Sequence, residues 1–213
     1  MLFDKFDIRL FNKKEYEKWY CLMSPGRRRR TDSYRAESDR LRSVAGDMLI
    51  RKNISKLCGI APENVSIEIK PGGKPYVDGM DIEFNISHSG DLAVLAMGKS
   101  QVGIDVEVMR SVNLRLAKRV FDKVELEYLF GRVPEDYDFN KEPDSSMRFR
   151  FYQLWTAKEA YSKYTGEGLI SFSAREIPQC KGAVISSSAG DEYYVSVYCG
   201  NKSEYCKIVA QCL

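Results

Sequence analysis

With 213 residues the chain can form one large domain or two small ones, and either buries a real apolar core. It is 44% hydrophobic and 30% charged, as ordinary globular proteins are, and a net charge of +3 selects no polyanionic partner. No run is long and apolar enough to cross a bilayer, and MLFDKFDIRLFNKKEYEKWY at the start interleaves charges with aromatics where a signal peptide needs an unbroken apolar core, so the expected address is the cytoplasm.

Residues 3–10 alternate as a strand does, 12–20 read as a short helix, and Ser24-Pro25-Gly26 breaks it. Across 34–57, Leu41, Val44, Ala45, Met48 and Leu49 recur at helical spacing, which predicts a long amphipathic helix. A turn at Ala61-Pro62-Glu63-Asn64 leads to a strand at VSIEI and a tight loop at Pro71-Gly72-Gly73-Lys74-Pro75. Three strand-like runs follow: DIEFNIS, LAVLAMG and VGIDVEVM. A helix is expected at 113–120, and FDKVELEYL opens another, with Asp122 as N-cap and Glu125 three positions on. Residues 131–146 are polar, with two prolines, and read as a loop or linker; MRFRFYQLWTAKEAYSKYTG is a strong helix ending at Gly166. AVISSSA, EYYVSVYC and YCKIVAQC then read as strands of a C-terminal sheet. This order predicts an α+β fold of two α+β halves, 1–100 and 101–213, with no clear internal sequence repeat.

Several stretches can carry chemistry. In VGIDVEV, Ile104, Val106 and Val108 share one face of a strand, while Asp105 and Glu107 share the other, with Cα atoms about 6.5–7 Å apart. Paired carboxylates repel unless a proton or cation intervenes, and oxygen ligands suit a hard cation such as Mg²⁺. A strand with one face in water alternates the same way. On the next long helix Trp155, Glu159 and Lys163 form an i, i+4, i+8 stripe: Glu159 as a metal ligand or general base, Lys163 as a phosphate contact, or the two as a surface pair worth about 0.2–0.5 kcal/mol. Arg27-Arg28-Arg29-Arg30 is a basic run with little aromatic interleaving, so base stacking gains no support and a solvated patch competes with an anion site. Gly72-Gly73-Lys74-Pro75 lacks the ending of a Walker loop. The only histidine, His88, lies in a Ser-His-Ser-Gly sequence read as a tight turn. With six cysteines scattered at Cys21, Cys58, Cys180, Cys199, Cys206 and Cys212 and no C-x-x-C pair, a zinc site is not expected and the thiols are expected to be reduced.

The set GGKP, FNISHSG, GIDVE and WTAKEAYSKYTGEGL resembles the 4′-phosphopantetheinyl transferase superfamily, in its long, two-halved surfactin-synthetase-activating form. The resemblance runs from about Ser24 to Leu169, and the C-terminal strands fit it in pattern only. It implies two similar halves with the active site in the cleft between them. The implied reaction moves the phosphopantetheine arm of coenzyme A to a serine of an acyl or peptidyl carrier protein and releases 3′,5′-ADP. By the same resemblance Asp105, Glu107 and Glu159 hold Mg²⁺ (or Mn²⁺) against the pyrophosphate, Lys163 steadies the leaving phosphate and Lys158 supports it. Arg27, Arg30 and Arg42 grip the 3′-phosphate; the family often has lysine near the first two, and arginine keeps the charge and adds a forked donor. Lys74 and Pro75 border the adenine, and Ser87 and His88 touch the coenzyme A phosphates. Glu159, a water on the metal, or Glu125 takes the serine proton; Glu125 fits a capping box equally well. The implied partners are coenzyme A and a carrier protein, with no nucleic acid, no membrane and a monomeric state. Residues 110–121, with Arg115, Lys118, Arg119, Leu114 and Leu116, read as a docking surface for an acidic carrier or as an ordinary amphipathic segment. Two other classes compete: a module that binds coenzyme A or a carrier without reacting, against which Asp105, Glu107, Glu159 and Lys163 all stand intact, and a nucleic-acid binder, against which the modest charge counts.

Overall fold

The computed structural model describes residues 1–70, 72–131, 139, 141–166 and 181–200. The predicted strand at YCKIVAQC, the EGL end of the last motif and most of the 131–146 loop lie outside the described residues.

Strand β1 (Leu2–Asp7) is shorter than the alternation suggested, because Asp7 accepts a hydrogen bond from the Arg9 N–H and turns the chain into a 3₁₀ segment, Ile8–Leu10. Helix α1 (Lys13–Leu22) starts on the Asn12 cap. Ser24-Pro25-Gly26 does end α1, but it also begins a helix: Ser24 caps, Pro25 takes the first turn, and α2 (Pro25–Asp32) carries the arginine run. The first-turn place is where a proline costs a helix nothing, since the missing N–H has no intrahelical partner there. Helix α3 (Glu37–Cys58) ends on Gly59 at φ 67°, and a 3₁₀ turn (Pro62–Asn64) leads to the hairpin β2 (Ile67–Ile69) and β3 (Pro75–Val77).

Strands β4 (Glu83–Ser89) and β5 (Leu92–Gly98) form a hairpin around Gly90, and β1 pairs antiparallel with the far edge of β5. Strand β6 (Val102–Val108) belongs to a second antiparallel sheet, ordered β6-β8-β7, with β7 at Lys181–Ser186 and β8 at Glu192–Cys199. Between them run α4 (Leu114–Val120), α5 (Lys123–Phe130) and α6 (Ser145–Thr165). The α5 cap is a full capping box, and Gly166 at φ 78° ends α6, both at the expected positions.

Among the described residues the α+β class is realised as two three-stranded sheets, each with its own helices, and the β2–β3 hairpin. LAVLAMG reads as an unbroken apolar run because β5 is covered on both faces. Ala93, Leu95 and Met97 pack under α3 with Leu49, while Leu92, Val94 and Ala96 meet Ile104, Val106, Val195 and Val197 of the second sheet. The other face of the second sheet, through Tyr194, packs under α4–α6. Leu114 belongs to that third cluster and is fully buried, so it offers no docking contact; Leu116, 37% exposed, stays at the surface.

Candidate active site

Strand β6 does not have a wet face. Asp105 is 3% exposed and Glu107 only partly exposed, because α6 crosses the Gly103–Asp105–Glu107 face. Gly103 permits that crossing: a Cβ there would meet the Ala160 carbonyl oxygen at 1.9 Å. The close approach brings Lys163 Nζ to 2.6 Å from Asp105 Oδ1 and 2.9 Å from Ser87 Oγ. At the other end of the face the Trp155 side chain lies close enough to Glu107 to favour its charged form, and its ring stacks on Phe151.

Burial raises the pKa of Asp105, opposed by Lys163 and Ser87. It raises Glu107 too, against the Ser89 hydrogen bond. Glu159 is raised by burial first and then by the charges of Asp105 and Glu107, so the three carboxylates share one electrostatic neighbourhood. Among the described residues they are not drawn into a ready-made ligand cluster. The ammonium of Lys163 is the cation on Asp105 instead, and Asp105 Oδ2 is left buried with no hydrogen-bond partner. One orphaned carboxylate oxygen beside two further carboxylates fits a hard divalent cation.

This acidic corner adjoins a cleft of about 430 Å³ lined by Arg27, Arg30, Arg42, Lys74, Pro75, His88 and Lys163, among others. The size suits a small molecule and the lining suits an anionic one. Arg27 is held by buried Asp47 at 3.4 Å, and Asp47 is held in turn by Arg51 at 2.6 Å. Arg42 is held by Asp39 and by the Gly90 carbonyl oxygen. Arg30 Nε reaches the Tyr34 hydroxyl at 3.3 Å, and Lys74 pairs with Glu83 at 3.1 Å. Arg28 and Arg29, on the same short helix, are not among the cleft-lining residues.

Three sequence-based expectations change here. Ser87 and His88 stand in strand β4, not in a turn; the turn lies one step later, at Gly90. As strand neighbours they face opposite ways, so His88 lines the cleft with Arg42 while Ser87 is buried against Asp105. Lys158 and Glu125 do not reach the cleft. Each is 1% exposed in its side chain, and they bind each other at 2.8 and 2.9 Å, joining α6 to α5. Glu125 also accepts from the Asp122 N–H in the capping box, which commits its carboxylate to structure.

The sequence did not single out Asn85, Ser89 or Asp47. All three act through contacts between elements far apart in the chain. Asn85 and Ser89 are the i−2 and i+2 neighbours of Ser87, and strand periodicity would have placed them on its face had the segment been read as a strand throughout.

A family model for the 4′-phosphopantetheinyl transferase superfamily matches residues 101–209, and one for the 4′-phosphopantetheinyl transferase N-terminal region matches residues 12–100. The chain is 31% identical over 207 residues to a Bacillus subtilis protein named 4′-phosphopantetheinyl transferase, covering 90% of this chain and 88% of the relative. It is 31% identical over 172 residues to 4′-phosphopantetheinyl transferase Sfp of Bacillus subtilis (strain 168), covering 78% and 72%. It is 36% identical over 131 residues to 4′-phosphopantetheinyl transferase gsp of Aneurinibacillus migulanus, covering 62% and 51%. With adjoining family matches from residue 12 to residue 209 and a relative aligned along most of both chains, this chain belongs to the 4′-phosphopantetheinyl transferase superfamily.

Proposed function

We propose that the protein transfers the 4′-phosphopantetheine arm of coenzyme A to a serine of an acyl or peptidyl carrier protein and releases 3′,5′-ADP. One observation carries the reading. A cleft lined by Arg27, Arg30, Arg42 and Lys74 ends where β6 brings Asp105 and Glu107 and α6 brings Glu159 and Lys163. A phosphate-rich substrate needs both, in that order along its length.

In this reading the arginines and His88 bind the 3′-phosphate end, and Lys74 and Pro75 flank the adenine. Asp105, Glu107 and Glu159 are the groups to hold Mg²⁺ or Mn²⁺. The ion, when bound, neutralises charge on the pyrophosphate and supplies Lewis-acid help to the departing phosphate. Lys163 exchanges Asp105 for the pyrophosphate and meets the negative charge that grows as the bond to 3′,5′-ADP breaks. The carrier serine oxygen forms the new bond to the β-phosphorus, and its proton passes to Glu159, whose pKa is raised by burial and by the neighbouring carboxylates. Most of the rate comes from alignment and charge neutralisation, as in other phosphoryl transfers. The carrier's acidic surface is met by Arg115, Lys118 and Arg119 around exposed Leu116 on α4. A monomeric state and a cytoplasmic address belong to the same reading. No helix among the described residues is long and apolar enough to cross a membrane.

The test mixes the protein with coenzyme A, Mg²⁺ and a panel of apo carrier domains and weighs the carriers by mass spectrometry. Phosphopantetheine gain on a carrier is the expected result, and Asp105→Ala and Glu159→Ala abolish it while circular dichroism stays unchanged. Well-folded wild-type protein that modifies no carrier in the panel overturns the function. Turnover that survives either substitution overturns that ligand.

A further inference from the structure

Among the described residues, strand β6 stands at the edge of its sheet and pairs with β8 on one side. Buried N–H groups on such an edge need acceptors. They find them in side chains of β4. Asn85 Oδ1 accepts from the Ile104 N–H at 3.2 Å, Ser87 Oγ from the Val106 N–H at 3.4 Å, and Ser89 Oγ from the Val108 N–H at 3.2 Å. Three side chains at alternate positions of one strand thus serve three alternate N–H groups of another, as a neighbouring backbone would.

The two serines go further. A hydroxyl has one proton, and when a backbone N–H occupies a lone pair the proton is free to point elsewhere. Ser87 donates its proton to Asp105 Oδ1 at 2.8 Å, and Ser89 donates its own to Glu107 Oε2 at 2.6 Å. Each serine therefore fixes both the main chain of β6 and the carboxylate beside it. The opposite face of the same strand presents His88 to the phosphate cleft.

We infer that Ser89 is a positioning residue for Glu107, and that the Asn85–Ser87–Ser89 row ties the carboxylates of one sheet to the substrate-gripping strand of the other. The inference rests on the proposed function, because it concerns how Glu107 is presented to a divalent cation. Ser89 touches no substrate and acts through Glu107.

The experiment compares wild type, Ser89→Ala and Ser89→Thr. Mn²⁺ affinity is read by electron paramagnetic resonance in the presence of coenzyme A, and metal-free coenzyme A affinity by calorimetry. Removing a partner that orients a metal ligand costs about 10–100-fold in affinity, and Ser89→Ala is expected to fall in that range. Coenzyme A affinity without metal stays at the wild-type value, and Ser89→Thr, which keeps the hydroxyl, restores Mn²⁺ binding. A structural role alone would lower both affinities together, and that result overturns the inference. Equal Mn²⁺ affinity in Ser89→Ala and wild type overturns it as well. Wild type is first run in the carrier assay. Transfer there, with unchanged Mn²⁺ affinity in Ser89→Ala, removes the positioning role and leaves the function standing; no transfer removes both.

Discussion

His88 is the residue a reader of the sequence would first take for a base. The side chain is solvent-exposed on the cleft wall; partial desolvation by the surrounding protein lowers its pKa, and the positive charges of Arg42 and Lys163 push it lower still. The imidazole is therefore mostly neutral at pH 7 and has one N–H to give. Its neighbours on the cleft wall are arginines rather than the carboxylates, which lie across β4 with Ser87. A neutral donor among cations is suited to a phosphate. His88→Ala is expected to raise KM for coenzyme A and leave kcat near the wild-type value. A fall in kcat at unchanged KM in steady-state kinetics would return the histidine to the chemistry.

Among the elements, those whose signals are local were legible. The capping box of α5, the glycine stop of α6 and the strand β5 follow from spacing over a few residues. Ser24-Pro25-Gly26 was misjudged because the same three residues serve as a stop and as a start, and only tertiary placement of the arginines distinguishes the two. The candidate site was legible as a list of groups, since carboxylates at alternate strand positions and a Glu–Lys pair at i, i+4 on a helix are visible in one dimension. Its layout was not, because Lys158 and Glu125 find each other only once α5 and α6 pack. The contact between β6 and α6 is the strongest demand of that layout. At Gly103 an added methyl would lie 1.9 Å from the Ala160 carbonyl oxygen and 2.6 Å from the Tyr164 nitrogen, both backbone atoms that cannot rotate aside. Gly103→Ala must push α6 off β6, and Lys163 and Glu159 move with it. Overpacking of this kind costs about 1–3 kcal/mol or more, so the variant is expected to lose stability in urea unfolding and most of its transfer activity together. Wild-type stability in that titration would mean that the helix is not held at this distance.

At the scale of the molecule, the two sheets are joined at the end of β1 by a second polar tie. Asp7, 6% exposed, accepts from Arg9 Nη2 at 2.8 Å and from the Ser188 hydroxyl at 2.6 Å and N–H at 3.0 Å. Arg9 also faces Asp91 at 3.4 Å, next to the β4–β5 turn, and Asp191 at 3.8 Å, next to the β7–β8 turn. Burial alone would raise the Asp7 pKa, but the hydrogen bonds from Arg9 and Ser188 outweigh it and hold the carboxyl well below the usual range. The folded protein therefore keeps Asp7 ionised at pH values where the unfolded chain protonates it, near pH 3.9. A depressed folded pKa contributes stability that is complete above the unfolded value and is lost as pH falls toward the folded one. Asp7→Asn is accordingly expected to melt below wild type at pH 7. The gap between the two melting temperatures should stay constant down to about pH 5 and narrow below about pH 4. Melting curves of both proteins across that range measure it directly. A gap that held its full size into the acid would mean that the tie works through its shape alone, and no gap at pH 7 would mean that the two sheets are held together by the apolar contacts of β5 and the serine row of β4 without it.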